Sequence, residues 1–116
     1  MSADAPTVGE SMPYVVDTIE VEPRCLAPYL EVVEHLGVPV MTDAGASFVS
    51  CATTSADTDE RVEVQIVWGF DDHAQWNVIR RNVVLDPRWY AYADRVAALR
   101  TGGTRRFYYP AGFSPR

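Results

Sequence analysis

Residues 61–70 constrain the fold of this chain more than any other segment, because every second side chain in them is large and apolar. The apolar set comprises Val62, Val64, Ile66, Trp68 and Phe70. A period of two is typical of a β-strand that packs one face against a core. Residues 46–54 are rich in β-branched and small types, and a short polar loop joins them to this strand. We predict that the two strands form an antiparallel hairpin.

Two elements are predicted before the hairpin. Residues 13–22 alternate in the same way and predict a first strand, which Pro23 ends. Residues 24–36 carry apolar side chains at helical spacing and predict a helix. Gly37 stands where a left-handed helix cap is expected, and Pro39 opposes any regular continuation.

Two helical pieces and a strand are predicted after the hairpin. Asp71 or Asp72 is expected to cap a helix that Asp86-Pro87 interrupts, because aspartate is a good N-cap and proline suits the first helical position. The second piece extends to about residue 100. The Thr-Gly-Gly-Thr run at 101–104 predicts a turn, and residues 105–109 predict the last strand.

The order strand, helix, strand, strand, helix, strand is that of the ferredoxin-like βαββαβ fold, an α+β fold with a four-stranded antiparallel sheet. The usual arrangement of this sheet places strand four beside strand one. Arg105 and Arg106 are then expected near Glu20 and Glu22, as cross-strand partners of opposite charge.

The opposite face of such a sheet has no helix to cover it, yet it carries apolar side chains such as Val67. We therefore predict a homodimer in which two sheets pack face to face. Residues 12–110 form the expected domain, residues 1–11 a flexible N-terminal lead-in, and residues 111–116 a C-terminal tail.

Composition and charge exclude several classes of function. Sixteen acidic residues and ten basic ones, all arginine, give a net charge of −6, which argues against nucleic-acid binding. No apolar run approaches the roughly 20 residues of a membrane helix, and the first residues do not resemble a signal peptide. We expect a cytoplasmic protein. Cys25 and Cys51 match no metal-binding spacing, and reduced thiols are expected.

Known catalytic motifs are absent from the sequence. It has no glycine-rich phosphate loop, no HExxH helix and no nucleophile elbow, so nucleotide, zinc and serine-hydrolase chemistry are disfavoured, and neither a metal nor a cofactor is expected.

Histidines, an aspartate, a tyrosine and arginines remain as candidates for catalysis. His73 is the preferred general base, since it follows strand three in the first turn of a helix, whereas His35 is expected to be solvated. Asp17 is an acid or base if its face of strand one meets the helices, and an interface group if it does not. Tyr14 lies on the opposite face of that strand, and Arg81 is a candidate to steady negative charge on a substrate.

Aromatic residues offer a site for a planar ligand. The candidates for substrate binding, besides Arg80, are aromatic: Trp68, Trp76, Trp89 and Tyr92. The alternative is that these side chains are ordinary core and that the two arginines pair with acidic residues on the surface.

Residues 64–99 read VQIVWGFDDHAQWNVIRRNVVLDPRWYAYADRVAAL. A strand ending in two aromatic residues, an acidic helix cap, an arginine-bearing helix and an Asp-Pro-Arg-Trp run together resemble the NIPSNAP family. The opening strand, PYVVDTIEVEP, resembles the first strand of that family. The resemblance covers residues 13–110. It implies a dimeric α+β barrel, in which each subunit of a homodimer has a pocket between sheet and helices.

Three functions remain open from the sequence. The first is a cofactor-independent enzyme (a cyclase, isomerase or monooxygenase) that acts by proton transfer on a planar apolar or aromatic substrate. The second is a non-catalytic module for ligand binding or dimerisation. The third is a haem-binding or haem-degrading protein, for which His73 is the only plausible axial ligand.

Overall fold

A computed structural model describes residues 12–55 and 61–114, and it confirms the predicted α+β class. Its antiparallel sheet has four strands, β1 (Tyr14–Val21), β2 (Ser47–Thr53), β3 (Val62–Gly69) and β4 (Arg100–Tyr108), in the order β2-β3-β1-β4. The helices are α1 (Leu26–Val32), α2 (Val38–Asp43), α3 (His73–Leu85) and α4 (Pro87–Ala97). The hairpin and the neighbouring position of strands one and four are as predicted. The proposed lead-in, residues 56–60 of the loop and the last two residues of the tail lie outside the described residues.

The predicted end of the first helix at Gly37 is wrong. A π-helical turn, Val33–Gly37, joins α1 to α2, and the chain stays helical as far as Asp43. Pro39 is tolerated because it stands in the first turn of α2, where a missing N–H needs no partner. The left-handed glycine is instead Gly45, with φ of +116°, just after α2.

Helices α3 and α4 begin at the predicted caps. The Asp72 carboxylate accepts a hydrogen bond from the backbone N–H of Gln75 at 2.8 Å, and that of Asp86 accepts one from Arg88 at 2.9 Å. Arg88 also donates to Asp43 at 2.8 Å, which ties α4 to the end of α2. Hydrogen bonds from Arg88 hold the pKa of Asp86 below its ordinary value.

The predicted turn at 101–104 is also wrong, because β4 begins at Arg100 and pairs with β1 along its whole length. Gly103 lies opposite Ile19, and a Cβ on Gly103 would come within 2.7 Å of Ile19 Cδ1. Gly103 therefore leaves room for the Ile19 side chain within the sheet, and the chain does not turn there. This register places Arg105 opposite Asp17, and not beside the glutamates that the shorter strand had suggested.

One face of the sheet carries the core. Buried residues of β1 and β3 lie on this face, among them Val15, Ile19, Val64, Ile66 and Trp68, and the helices add Tyr29, Val40, Ile79 and Val96. The alternate side chains, including Tyr14, Val16 and Val67, are only half-buried. The two cysteines are unpaired, as predicted. None of the helices among the described residues has both the length and the hydropathy of a membrane span.

Candidate functional site

A cavity of about 450 Å³ lies between the sheet and α4 and opens to solvent. Apolar and aromatic side chains form most of its wall: Ile19, Tyr29, Met41, Ile66, Trp68, Trp89, Tyr92, Ala93, Val96 and Ala97. Its polar wall comes from the strands at one edge of the sheet and includes Asp17, Arg100 and Arg105. The size and composition are those of a small-molecule site.

An ion pair crosses from β1 to β4 at the wall of this cavity. Arg105 donates from Nε to Asp17 Oδ1 at 2.6 Å and from Nη2 to Oδ2 at 2.8 Å. The indole Nε1 of Trp68, on the other side of β1, donates to Asp17 Oδ2 at 3.2 Å. Asp17 therefore lies on the face of β1 that meets the helices, which is one of the two orientations that the sequence left open. The strand register explains the meeting, since the two residues are direct cross-strand partners.

The contacts of Asp17 make it an anchor for Arg105. Its carboxylate accepts three hydrogen bonds, two from Arg105 and one from Trp68. The hydrogen bond to Asp17 raises the pKa of Arg105 further above its ordinary value, in spite of partial burial. The guanidinium also lies 5.3 Å above the ring of Trp76. Within the described chain its Nη1 makes no hydrogen bond, so that donor is available to a ligand.

Two tyrosines stand on the helical side of the cavity. Tyr29 is buried, and it lies close enough to Tyr92 for each ring to affect the pKa of the other. Burial raises the pKa of Tyr92 to about 12, and the negative charge of Asp17 contributes to the increase. Burial likewise raises the pKa of Tyr29. Both hydroxyls therefore keep their protons at neutral pH, and Tyr92 can serve as a hydrogen-bond donor but not as a base.

The π-helical turn sets the position of Tyr92. A Cβ on Gly37 would lie 2.8 Å from Tyr92 Cε1, so only glycine lets the ring pass so close to the helix. Trp89, one turn earlier in α4, packs against the same ring with centroids 5.7 Å apart. The π-helical turn thus helps to shape the helical wall of the cavity. Turns of this kind are frequent at functional sites.

The structure brings together four of the residues that the sequence singled out. Asp17, Trp68, Trp89 and Tyr92 all line the cavity. Trp76 does not line it but is buried behind Arg105, where it packs on Phe70 and Phe107.

The other candidates are not in the cavity. His73, Arg80 and Arg81 are exposed on α3, because the cap at Asp72 starts this helix outside the cavity wall. Tyr14 points to the opposite face of the sheet and stacks on Tyr108 at 5.3 Å. The structure therefore does not bring His73, Tyr14, Arg80 or Arg81 to this cavity, and their predicted roles remain predictions. His35 is exposed, as expected.

Sequence reasoning missed three residues of the site. The sequence predicts Arg105 beside glutamates and a helix that ends near Arg100, and it does not single out Tyr29 within the first helix. The sequence gives little signal for the core face of β4, because Gly103, Arg105 and Phe107 alternate with residues of similar polarity. No group of three or more histidine, cysteine or acidic side chains in the described ranges could hold a metal ion.

Of the known proteins compared with this chain, only solved structures are similar to it, and they indicate its fold. No protein-family model and no curated protein matches the sequence. Solved structures do match, among them NIPSNAP proteins. An uncharacterised NIPSNAP domain protein from Burkholderia xenovorans is 23% identical, with a TM-score of 0.77, over 90% of this chain and 100% of that one.

Two oxygenases also share the architecture. A monooxygenase from Streptomyces coelicolor, in complex with nanaomycin D, is 18% identical with a TM-score of 0.60, over 88% of this chain and 89% of that one. SnoaB, a cofactor-independent oxygenase from Streptomyces nogalater, is 17% identical with a TM-score of 0.54, over 93% and 100%. The chain thus has the ferredoxin-like α+β fold of the NIPSNAP proteins, as the resemblance in its sequence implied.

Proposed function

We propose that the cavity binds a planar, largely apolar small molecule and that the protein acts on it as an enzyme without a bound cofactor. The observation that carries this proposal is the Asp17–Arg105 ion pair, held by Trp68 in the wall of an aromatic cavity. A partly buried charged pair costs stability unless its groups are satisfied, so its position among apolar side chains is typical of a binding site.

The chemistry of the cavity favours loss of a proton from the ligand. Arg105 and the hydroxyl of Tyr92 supply donors that face the same space, and such donors stabilise an oxyanion when they are held in place beforehand. The cavity lining contains no histidine and no unpaired carboxylate. A phenol or enol bound there would therefore lose its proton to solvent, with the anion stabilised by the protein.

Several reactions begin from such an anion, including ring closure, isomerisation and reaction with O₂. Two structural neighbours are oxygenases, and one of them, SnoaB, is cofactor-independent, which supports this class. The non-catalytic module differs in one measurable property, because it would bind the ligand without changing its acidity. The haem hypothesis receives less support, because its candidate axial ligand, His73, is not among the lining residues of this cavity.

Titration with 2-naphthol, followed by the fluorescence of Trp68 and Trp89, tests the binding. Ala93→Phe fills the cavity wall, whereas Ala91→Phe places the same ring on an exposed position of the same helix. We expect saturable quenching in the wild type, at least about tenfold weaker binding for Ala93→Phe, and no change for Ala91→Phe. Equal binding by all three proteins would place the ligand elsewhere.

The absorption spectrum of bound 2-naphthol tests the chemistry. We expect the pKa of the naphthol to fall on binding by about one unit, which corresponds to roughly 1.4 kcal/mol, and to return to its free value in Arg105→Gln. An unchanged pKa in the wild type, with binding intact, would favour the non-catalytic module.

We also propose that a second copy of the chain covers the outer face of the sheet, the face that carries Tyr14, Val16 and Val67. These side chains are half-buried, and Tyr108 stacks on Tyr14 beside them, so the face offers apolar contact area. Sedimentation at micromolar concentration should give a dimer, and Val67→Glu should weaken it. A stable monomer would contradict this arrangement.

A further inference from the structure

Arg100 stands at the open side of the cavity without a partner. It lines the cavity, its side chain is exposed, and it makes no hydrogen bond or ion pair within residues 12–55 and 61–114. The other arginine of the lining, Arg105, is neutralised by Asp17 at 2.6 Å. Of the charged groups in the cavity wall, Arg100 is therefore the one whose charge is not balanced.

The charges of the cavity wall differ in sign from those of the whole molecule. Asp17 contributes one negative charge, while Arg100 and Arg105 contribute two positive ones, which leaves a net charge of +1 at the cavity. The chain as a whole carries −6. A general excess of basic residues therefore does not explain the positive cavity, and a ligand with a negative charge would be favoured there specifically.

The backbone of β4 gives the Arg100 side chain a defined position. A Cβ on Gly103 would lie 3.3 Å from both Cζ and Nη1 of Arg100, so the guanidinium lies against the strand at a residue without a side chain. The same glycine admits Ile19 from β1. Glycine at this position thus lets the guanidinium lie against β4, in the wall of the cavity.

We propose that Arg100 binds a carboxylate of the ligand, so that the substrate class is a planar aromatic or enolic carboxylic acid. This inference rests on the function proposed above and adds a second recognition point to it. Arg105 and Tyr92 face the group that loses a proton. Arg100, at the opening, pairs with a group that is already ionised and can form two parallel hydrogen bonds to it.

A matched pair of probes separates charge from shape. 2-Naphthoate and 2-naphthamide have the same ring and nearly the same size, but only the first is charged at neutral pH. We expect the wild type to bind naphthoate about tenfold more tightly than naphthamide, as a charge-assisted hydrogen bond to a ligand would provide. Because Arg100 is exposed, this preference should decrease as the salt concentration rises.

Variants assign the preference to one residue. Arg100→Gln should bind both probes with the weaker affinity, and Arg100→Lys should keep part of the preference for naphthoate. Arg95→Gln removes the same charge from an exposed position of α4 outside the cavity, and it should behave as the wild type.

The outcomes distinguish this inference from the proposed function. Equal affinity of the wild type for both probes, with both lost in Ala93→Phe, would overturn the role of Arg100 and leave the cavity as a ligand site. An unchanged preference in Arg100→Gln would do the same. Absence of binding for either probe, and for 2-naphthol, would count against the proposed function itself.

Discussion

The same face of the sheet is covered in two different ways. Under α3 the space is full, because Trp76, with only 3% of its surface exposed, packs on Phe70 and Phe107 at centroid distances of 5.4 and 5.3 Å. Under α4 the space is partly empty, since the helix presents Ala93 and Ala97 to the sheet and leaves a cavity of about 450 Å³.

The difference shows how one layer of helices can contain both a core and a site. Large aromatic side chains close the α3 half, and small residues in α4, together with Gly103 in β4, leave the other half open. The Asp17–Arg105 pair lies at the boundary, with Trp76 on one side of the guanidinium and the cavity on the other. The closed half thus supports the wall of the open one, as rigid elements support a binding site.

The largest expected effect is on stability in the closed half. Trp76→Ala should lower the free energy of unfolding by about 3–5 kcal/mol, because it removes a buried ring that two other rings contact. Trp89→Ala, in a half-exposed ring at the cavity, should cost only about 1–2 kcal/mol. Urea unfolding of the two variants measures both values, and equal losses would contradict the division into a full and an open half.

The ion pair at the boundary should give a smaller effect. Asp17→Asn keeps the size of the side chain but removes the charge that Arg105 faces. We expect a loss of about 2 kcal/mol, less than the roughly 3–5 kcal/mol of a fully buried pair, because the Arg105 side chain is 40% exposed. Asp94→Asn, on an exposed position of α4, is the control and should change stability by less than about 0.5 kcal/mol. A similar loss of stability in both variants would show that the Asp17–Arg105 pair does not stabilise the fold.

The smallest effect is expected in alkaline solution. The pKa of Tyr92 is raised to about 12 in the folded chain, from 10.0 in the unfolded one. Its stabilising contribution is therefore complete below pH 10 and is lost as the pH rises through about 12. We expect urea unfolding to show a decrease of about 1–2 kcal/mol across this range that is reduced in Tyr92→Phe. Tyr109→Phe, in an exposed ring, should leave the decrease as it is.

Local patterns in the sequence predict much of the fold. The alternation of apolar side chains in β3 identifies a strand, because this pattern can be recognised without knowing the partner strands. The caps at Asp72 and Asp86 are predictable because each acts on a backbone N–H within three residues of itself. The order of these elements then restricts the topology to few choices.

The site is less predictable because it depends on contacts between distant segments. A side chain at Gly37 would collide with Tyr92, and one at Gly103 would collide with Ile19. Without that neighbour, each glycine indicates a cap or a turn, and both predictions were wrong for this reason. The misplaced start of β4 shifted the expected partners of Arg105, although Asp17 itself was recognised. His73 could not be placed from periodicity, since it lies at the border of its helix face.

The pairing of β1 with β4 has a consequence for how the protein is made. The two residues of the ion pair are 88 positions apart, and the strand that carries Arg105 is the last of the four to leave the ribosome. During synthesis, the Asp17 carboxylate must therefore remain in water while the hairpin and both long helices emerge. Long-range pairing of this kind slows folding. The cavity is thus complete only after β4 pairs with β1, and a nascent chain that stalls before β4 lacks this wall.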